Sequence, residues 1–151
     1  MGYLIGCYNC KLDAKGRLMV PADFKEQLGD LADEGFVLRP RETDTKRCIE
    51  FYTKKGWNEL LDKINSRIDH SDEDQLIAFM IFNNGAKPVK LDANGRIQIP
   101  KELMDLGILK KDVVLTTEIN KMVIWDKEEY GNTIGNADKK KYKDIINTLI
   151  K

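Results

Sequence analysis

The chain has 151 residues, of which one third are charged, with 25 basic and 25 acidic side chains for a formal net charge of zero. That length suits one ordinary domain or two small ones, and neutrality excludes a molecule-wide basic field, so any affinity for nucleic acid rests on local charge. No apolar run approaches the ~20 residues that cross a bilayer, the first residues lack the pattern of a secretory signal, and three cysteines are the low, odd count expected of a reducing compartment. A cytoplasmic protein is expected.

In chain order, Leu4, Gly6, Tyr8, Cys10 and Leu12 alternate with Ile5, Cys7, Asn9 and Lys11, which predicts a strand. Asp13-Ala14-Lys15-Gly16 is a turn sequence, in which Asp bonds the backbone ahead and Gly accepts positive φ. Leu18 and Val20 resume the inward face, Pro21 is placed at the first position of a helix, and Phe24, Leu28 and Leu31 form its stripe, with Gly29 as its stop. Two strands, 36–38 and 48–52, follow around a polar connection. Next comes a helix capped near Thr53 with the stripe Trp57, Leu60, Leu61, Ile64 and Ile68. A second helix, with Ser71 and Asp74 as capping box, carries Leu76, Ile77, Phe79, Met80, Ile81 and Phe82, a density that predicts burial on more than one side. It ends at Asn83-Asn84-Gly85.

The plan then repeats. Lys11-Leu12-Asp13-Ala14-Lys15-Gly16-Arg17-Leu18-Met19-Val20-Pro21 returns as Lys90-Leu91-Asp92-Ala93-Asn94-Gly95-Arg96-Ile97-Gln98-Ile99-Pro100, with seven of eleven positions identical. Leu103, Leu106 and Gly107 mirror the first short helix, 113–115 and 122–125 are strands, and Asp126 caps a turn containing Tyr130. Gly131 to Asn136 reads as a linker. From Ala137 the tail is an amphipathic helix with Tyr142, Ile145, Ile146, Leu149 and Ile150 on one face. Its initial lysines oppose the helix dipole. A helix this short is marginal alone, so it must dock, and an adjacent subunit is the expected site.

The duplicated Leu-Asp-x-x-Gly-Arg-apolar-x-apolar-Pro motif, the Tyr52/Trp57 and Trp125/Tyr130 pairs and Ile124-Trp125-Asp126 resemble the MraZ family of bacterial transcriptional regulators, from Leu4 to about Tyr130. The resemblance implies an α+β fold of two swapped-hairpin, AbrB-like β-barrel units in pseudo-two-fold tandem, with helices between and after them. The expected division is 1–68, 69–130 and 131–151. It also implies ring-shaped homo-oligomers that bind direct repeats in promoter DNA of the division and cell-wall gene cluster, acting as a repressor in the cytoplasm and nucleoid. By residue matching, DNA binding falls on Arg17 and Arg96. The helix before the second motif usually carries arginines in that family. Here Gln75 to Phe82 has none and an acidic segment precedes it, which puts a DNA contact from that helix in doubt.

Read from the residues, Lys11, Lys15 and Arg17 against Asp13 give the first turn a charge of +2, as do Lys87, Lys90 and Arg96 against Asp92 at the second. Arginine is suited to bidentate contact with guanine in the major groove, and lysines to phosphate. Asp13 and Asp92 fit turn-forming or arginine-orienting roles, and Gly16 and Gly95 the tight backbone. The bland alternative is a pair of solvated hairpins in which Asp and Arg pair. With so few cations per chain, non-specific affinity is weak, ~10⁻⁴–10⁻⁶ M, and only an array of turns raises it, often ~10²–10⁴-fold. Arg39 to Arg47 is a second basic cluster, read as a solvated loop. Cys7 and Cys10 point to opposite strand faces, so with Cys48 and His70 far off they form no zinc set. The acidic run 69–74 lacks a calcium-loop pattern, and Trp57 and Trp125 are read as core. No catalytic motif, cofactor or small-molecule substrate is expected. The competing function is a ring-forming scaffold or antitoxin-type interaction protein.

Overall fold

The computed structural model describes residues 2–151. Strands β1 (Tyr8–Lys11), β3 (Phe36–Glu42), β4 (Arg47–Thr53), β5 (Lys87–Val89), β7 (Asp112–Glu118) and β8 (Lys121–Asp126) form one antiparallel sheet in the order β1-β7-β8-β4-β3-β5. A separate two-stranded ribbon pairs β2 (Arg17–Met19) with β6 (Arg96–Gln98). The two halves of the chain therefore exchange strands. The strand before the first motif, β1, pairs with β7 of the second half. The strand before the second motif, β5, pairs with β3 of the first. At the centre, Ile49 faces Ile124 and Phe51 faces Met122 across β4 and β8.

Alternation along the strands sorts side chains to two faces. Phe36, Leu38, Ile49, Phe51, Val113, Leu115, Met122 and Ile124 point to the main core. There they meet Leu18, Val20, Phe24, Ile97, Ile99 and Leu103 from the ribbon and the short helices α1 (Ala22–Leu28) and α4 (Lys101–Met104). The outer face has three parts. Val37 and Tyr52 pack under Trp57 of α2 (Lys54–Arg67) at one end. Cys48, Val114, Val123 and Trp125 pack with Tyr130 of α5 (Lys127–Tyr130) at the other. Between them Glu50, only 3% exposed, is held by Arg39, by Arg41 at 3.4 Å and by Lys121 at 2.9 Å. Arg41 also takes Glu118 through both terminal nitrogens, at 3.0 and 2.9 Å. Much of the basic 39–47 cluster is thus committed to a carboxylate network on the sheet rather than to a solvated loop. The Glu118 carboxyl is held below its ordinary range, first by the Arg41 hydrogen bonds. Burial, the largest single influence, pulls the Lys121 ammonium down, but the hydrogen bonds and charge of Glu50 and Tyr52 together outweigh it and its pKa is raised.

Local differences from the sequence reading have physical causes. Pro21 and Pro100 are N-caps with extended ψ, one position before the helix rather than in it. Gly29 ends α1 at φ +56°, but the chain continues as a 3-10 helix, Gly29–Glu34. The cap of helix α3 (Glu73–Asn84) is Asp72, which accepts from the Asp74 and Gln75 amides; Gln75 Oε1 reaches back to the Asp69 amide at 2.7 Å. The 131–136 stretch is not irregular: a π-helix, Gly131–Gly135, continues α5 and leads to α6 (Lys139–Ile150).

Helix α3 departs most from expectation. Phe82 stacks on Trp57 (ring centroids 5.5 Å, interplanar angle 6°) and lies under the Arg39 guanidinium, which anchors the helix beside α2. No residue of α3 is buried, and Ile77, Met80 and Ile81 face solvent. Apolar residues around the whole helix circumference cannot all reach α2 and Arg39, which meet only its Phe82 side among the described residues.

Candidate nucleic-acid interface

The two motif turns have the same geometry. In the first, the Gly16 amide donates to Asp13 O at 3.0 Å with Gly16 at φ +75°, and Asp13 Oδ1 accepts from the Lys15 and Arg17 amides, each at 2.9 Å. Asp13 Oδ2 takes Arg17 Nε at 2.6 Å. In the second, Gly95 stands at φ +77°, Asp92 Oδ1 accepts from Asn94 (2.8 Å) and Arg96 (3.0 Å), and Oδ2 takes Arg96 Nε at 3.2 Å. A left-handed glycine is what lets four residues close this loop. The Asp13 carboxyl is held below the usual carboxylate range, first by the Arg17 amide and then by the Arg17 side chain and Lys15 amide. Asp92 is lowered in the same way, first by the Arg96 amide.

The ribbon joins the two motifs. Leu18 opposes Ile97 and both are fully buried. Strand alternation therefore turns Arg17, Met19, Arg96 and Gln98 to the outer side. The chain leaving each strand runs beside the other motif's turn: Ile99 N donates to Gly16 O and Val20 N to Gly95 O, both at 3.0 Å. Arg96 Nη1 lies 3.8 Å from Asp13 Oδ2, so the first aspartate stands between both arginines. Among the described residues no hydrogen bond is found to either Arg17 Nη, which leaves the terminal fork of that guanidinium open for a planar acceptor pair.

The other singled-out residues are distributed differently. Lys15 is exposed at the tip of the first turn, as is Asn94 at the second. Lys11 and Lys90 lie on the sheet's edges: Lys11 on β1 with Asp112 at 4.0 Å, and Lys90 just past β5 with its stem against Gly35. Two residues to which the sequence reading gave no role sit at the turns. Gln98 Nε2 donates to Lys15 O at 2.6 Å and to Ile99 O at 3.1 Å, which fastens the first turn to the second motif. Lys25 of α1 lies over the second turn, with its Nζ only 2.6 Å from where a Cβ on Gly95 would stand. The second turn lacks a lysine of its own and gains one from the helix that follows the first motif. Neither contact follows from spacing along the chain, since both depend on β2 pairing with β6.

Trp57 and Trp125 are buried, not presented for stacking on bases. Cys10 and Cys48 are pushed up in pKa by burial. Cys7 is exposed and lies 3.5 Å from the Tyr130 hydroxyl. No helix among the described residues is long and apolar enough to cross a membrane.

Comparison with known proteins agrees with this architecture. The family model described as "MraZ protein, putative antitoxin-like" matches the chain twice, over residues 3–77 and 82–148. A protein of Christiangramia forsetii named Transcriptional regulator MraZ is 40% identical over 136 residues, covering 89% of this chain and 84% of its own. Namesakes from Flavobacterium psychrophilum and Alkaliphilus metalliredigens are 37% and 31% identical, covering 91% and 96% of this chain and 85% and 95% of theirs. With two matched copies that meet across one ribbon, and relatives aligned over most of their length, the chain belongs to the MraZ family.

Proposed function

We propose that this protein is a sequence-specific DNA-binding transcriptional regulator, acting as a repressor of the division and cell-wall gene cluster. In this reading it binds direct repeats in promoter DNA as a homo-oligomer, in the cytoplasm and at the nucleoid. The exchange of β1 and β5 is read as the swapped hairpin of AbrB-like barrels, and 1–68, 69–130 and 131–151 as its successive units.

The observation that carries the reading is the β2–β6 ribbon with Arg17 and Arg96 on its open face. A two-stranded ribbon fits the B-DNA major groove, and an arginine fork pairs with guanine O6 and N7. Asp13 and Asp92 orient the arginines through Nε, and Gly16 and Gly95 shape the turns. Lys15, joined by Lys25, takes phosphates at the groove edge, with Lys11 and Lys90 further out. Met19 lies on the same outer face, where an apolar group meets a thymine methyl. No cofactor or metal enters this function, and no small molecule is its substrate.

The test is retardation of a promoter fragment containing direct repeats, across a salt series, for wild type and for Arg17→Ala with Arg96→Ala. Affinity is expected to fall steeply with salt for wild type and to be lost in the variant. Full retardation by the double variant sinks the site assignment. Equal wild-type affinity for random duplex sinks the regulator and favours the scaffold.

A further inference from the structure

Among the described residues, two apolar faces find no partner within this chain. One belongs to α2 and α3, whose shared groove of about 430 Å³ is floored by Ile64, Phe79 and Phe82, with Ala78 at its lip and Ile77 and Ile81 exposed beyond. The other belongs to α6, where Tyr142, Ile145, Ile146, Leu149 and Ile150 are 46–75% exposed along one stripe. We propose that the α6 stripe of one copy lies in the α2–α3 groove of a second copy, and that this joint builds the assembly. The inference rests on the homo-oligomeric reading above and supplies its contact.

Four observations select a second copy as occupant. First, the faces match in kind: a narrow helical stripe on one and a helix-pair groove on the other. Second, the helices occupy equivalent places in the repeat. The family match covers α2 and the start of α3 in its first copy, and α5, the π-helix and nearly all of α6 in its second. In the first half the helix after the sheet finds its partner as α2 against α3, through Trp57 and Phe82. Among the described residues of the second half, α6 has no such aromatic anchor. Third, the charges are complementary. Lys139, Lys140, Lys141 and Lys143 begin α6, while Asp69, Asp72, Glu73 and Asp74 surround the start of α3. Lys63 and Arg67 occupy the opposite, α2 lip, so the basic end of α6 is drawn to the α3 side and the two helices run parallel. Fourth, the near-continuous α5 and π-helix segment fixes the departure of α6 at the Trp125 end of the sheet, whereas the groove lies at the Tyr52 end.

Unlike faces at different ends give a heterologous, head-to-tail contact. Such a contact propagates and closes into a ring where the rotation per copy permits it. The prediction is specific to this geometry. A copy with a ruined stripe still offers a groove, and a copy with a ruined groove still offers a stripe.

Full-length wild type, a stripe variant (Ile145→Asp with Leu149→Asp) and a groove variant (Ala78→Arg) are compared by light scattering after chromatography. Far-UV circular dichroism and the thermal midpoint verify the fold; all three altered positions are exposed, so the fold is expected to persist. Wild type is expected to be a higher oligomer, each variant alone a monomer, and an equimolar mixture of the two variants a dimer that grows no further. A monomeric wild type overturns the assembly reading and this joint together. An oligomeric wild type whose folded variants keep its mass overturns the joint alone. Folded variants that stay monomeric when mixed overturn the head-to-tail pairing.

Discussion

At the scale of single residues, the site is a set of charges whose directions are fixed by two carboxylates. Asp13 spends one oxygen on backbone amides and the other on Arg17 Nε, so the arginine leaves the turn with one orientation and its terminal nitrogens forward. Replacing Arg17 or Arg96 with alanine should cost ~1–3 kcal/mol of binding and relax discrimination at one base pair. Lys15→Ala should weaken all sequences alike and reduce the salt slope by about one. Quantitative retardation on matched and mismatched fragments separates the two behaviours. The same aspartates set a pH dependence. Their pKa values are depressed in the fold, so the order they give the turns is present above the ordinary aspartate value of 3.8 and is lost as pH falls through the lower folded value. Carboxyl carbon NMR titration should give midpoints for Asp13 and Asp92 below 3.8, with the Arg17 and Arg96 Nε signals moving at the same pH. A midpoint at or above 3.8 would contradict the hydrogen-bonded geometry.

At the scale of elements, the ribbon is three residues per strand and would not persist in water by itself. It is held from beneath by Leu18 and Ile97, both fully buried. Leu18→Ala and Ile97→Ala should each lower unfolding free energy by ~2–5 kcal/mol, read from urea midpoints. Affinity should fall with them while the charges are untouched. The outer face of the sheet offers a second test. Removing Glu50, which is 3% exposed, strands Arg39 and Lys121 and should cost ~3–5 kcal/mol. Glu118→Ala, at a side chain 42% exposed, should cost ~1 kcal/mol or less in the same melts. The sequence displayed most of these elements. Turn chemistry, apolar alternation and the motif duplication located the strands, both turns and the helix stripes to within a few residues, because each is a local signal. Pairing partners were not legible. Nothing near Lys25 announces that α1 lies over Gly95, and nothing near Gln98 announces the Lys15 carbonyl. Helix α3 misled for a related reason: apolar density reports a need for burial but not which molecule meets it.

At the scale of the whole molecule, zero net charge makes the arrangement of charge decisive. Arginines 39 and 41 are drawn inward to Glu50 and Glu118, while Arg17, Arg96, Lys15 and Lys25 cluster at the ribbon. Binding should therefore show a salt slope set by the number of ribbons engaged. Comparing assembled wild type with the monomeric stripe variant, the slope of log affinity against log salt should shrink by about the ratio of ribbons on the DNA. An unchanged slope would mean that one ribbon does all the binding.

The strand exchange has a consequence in time as well as in space. β1 pairs with β7, and Tyr8 aligns with Leu115, a residue 107 positions later. At about 5–20 residues per second of synthesis, the first strand waits roughly 5–20 seconds for its partner. β2 likewise waits for β6. Throughout that interval the nascent chain carries unpaired edges whose eventual complements are already present on chains further along the same messenger. Neighbouring ribosomes thus place completed second halves beside incomplete first halves. β1 is only four residues long and turns Asn9 and Lys11 outward, the kind of short, charged edge that disfavours pairing with another chain.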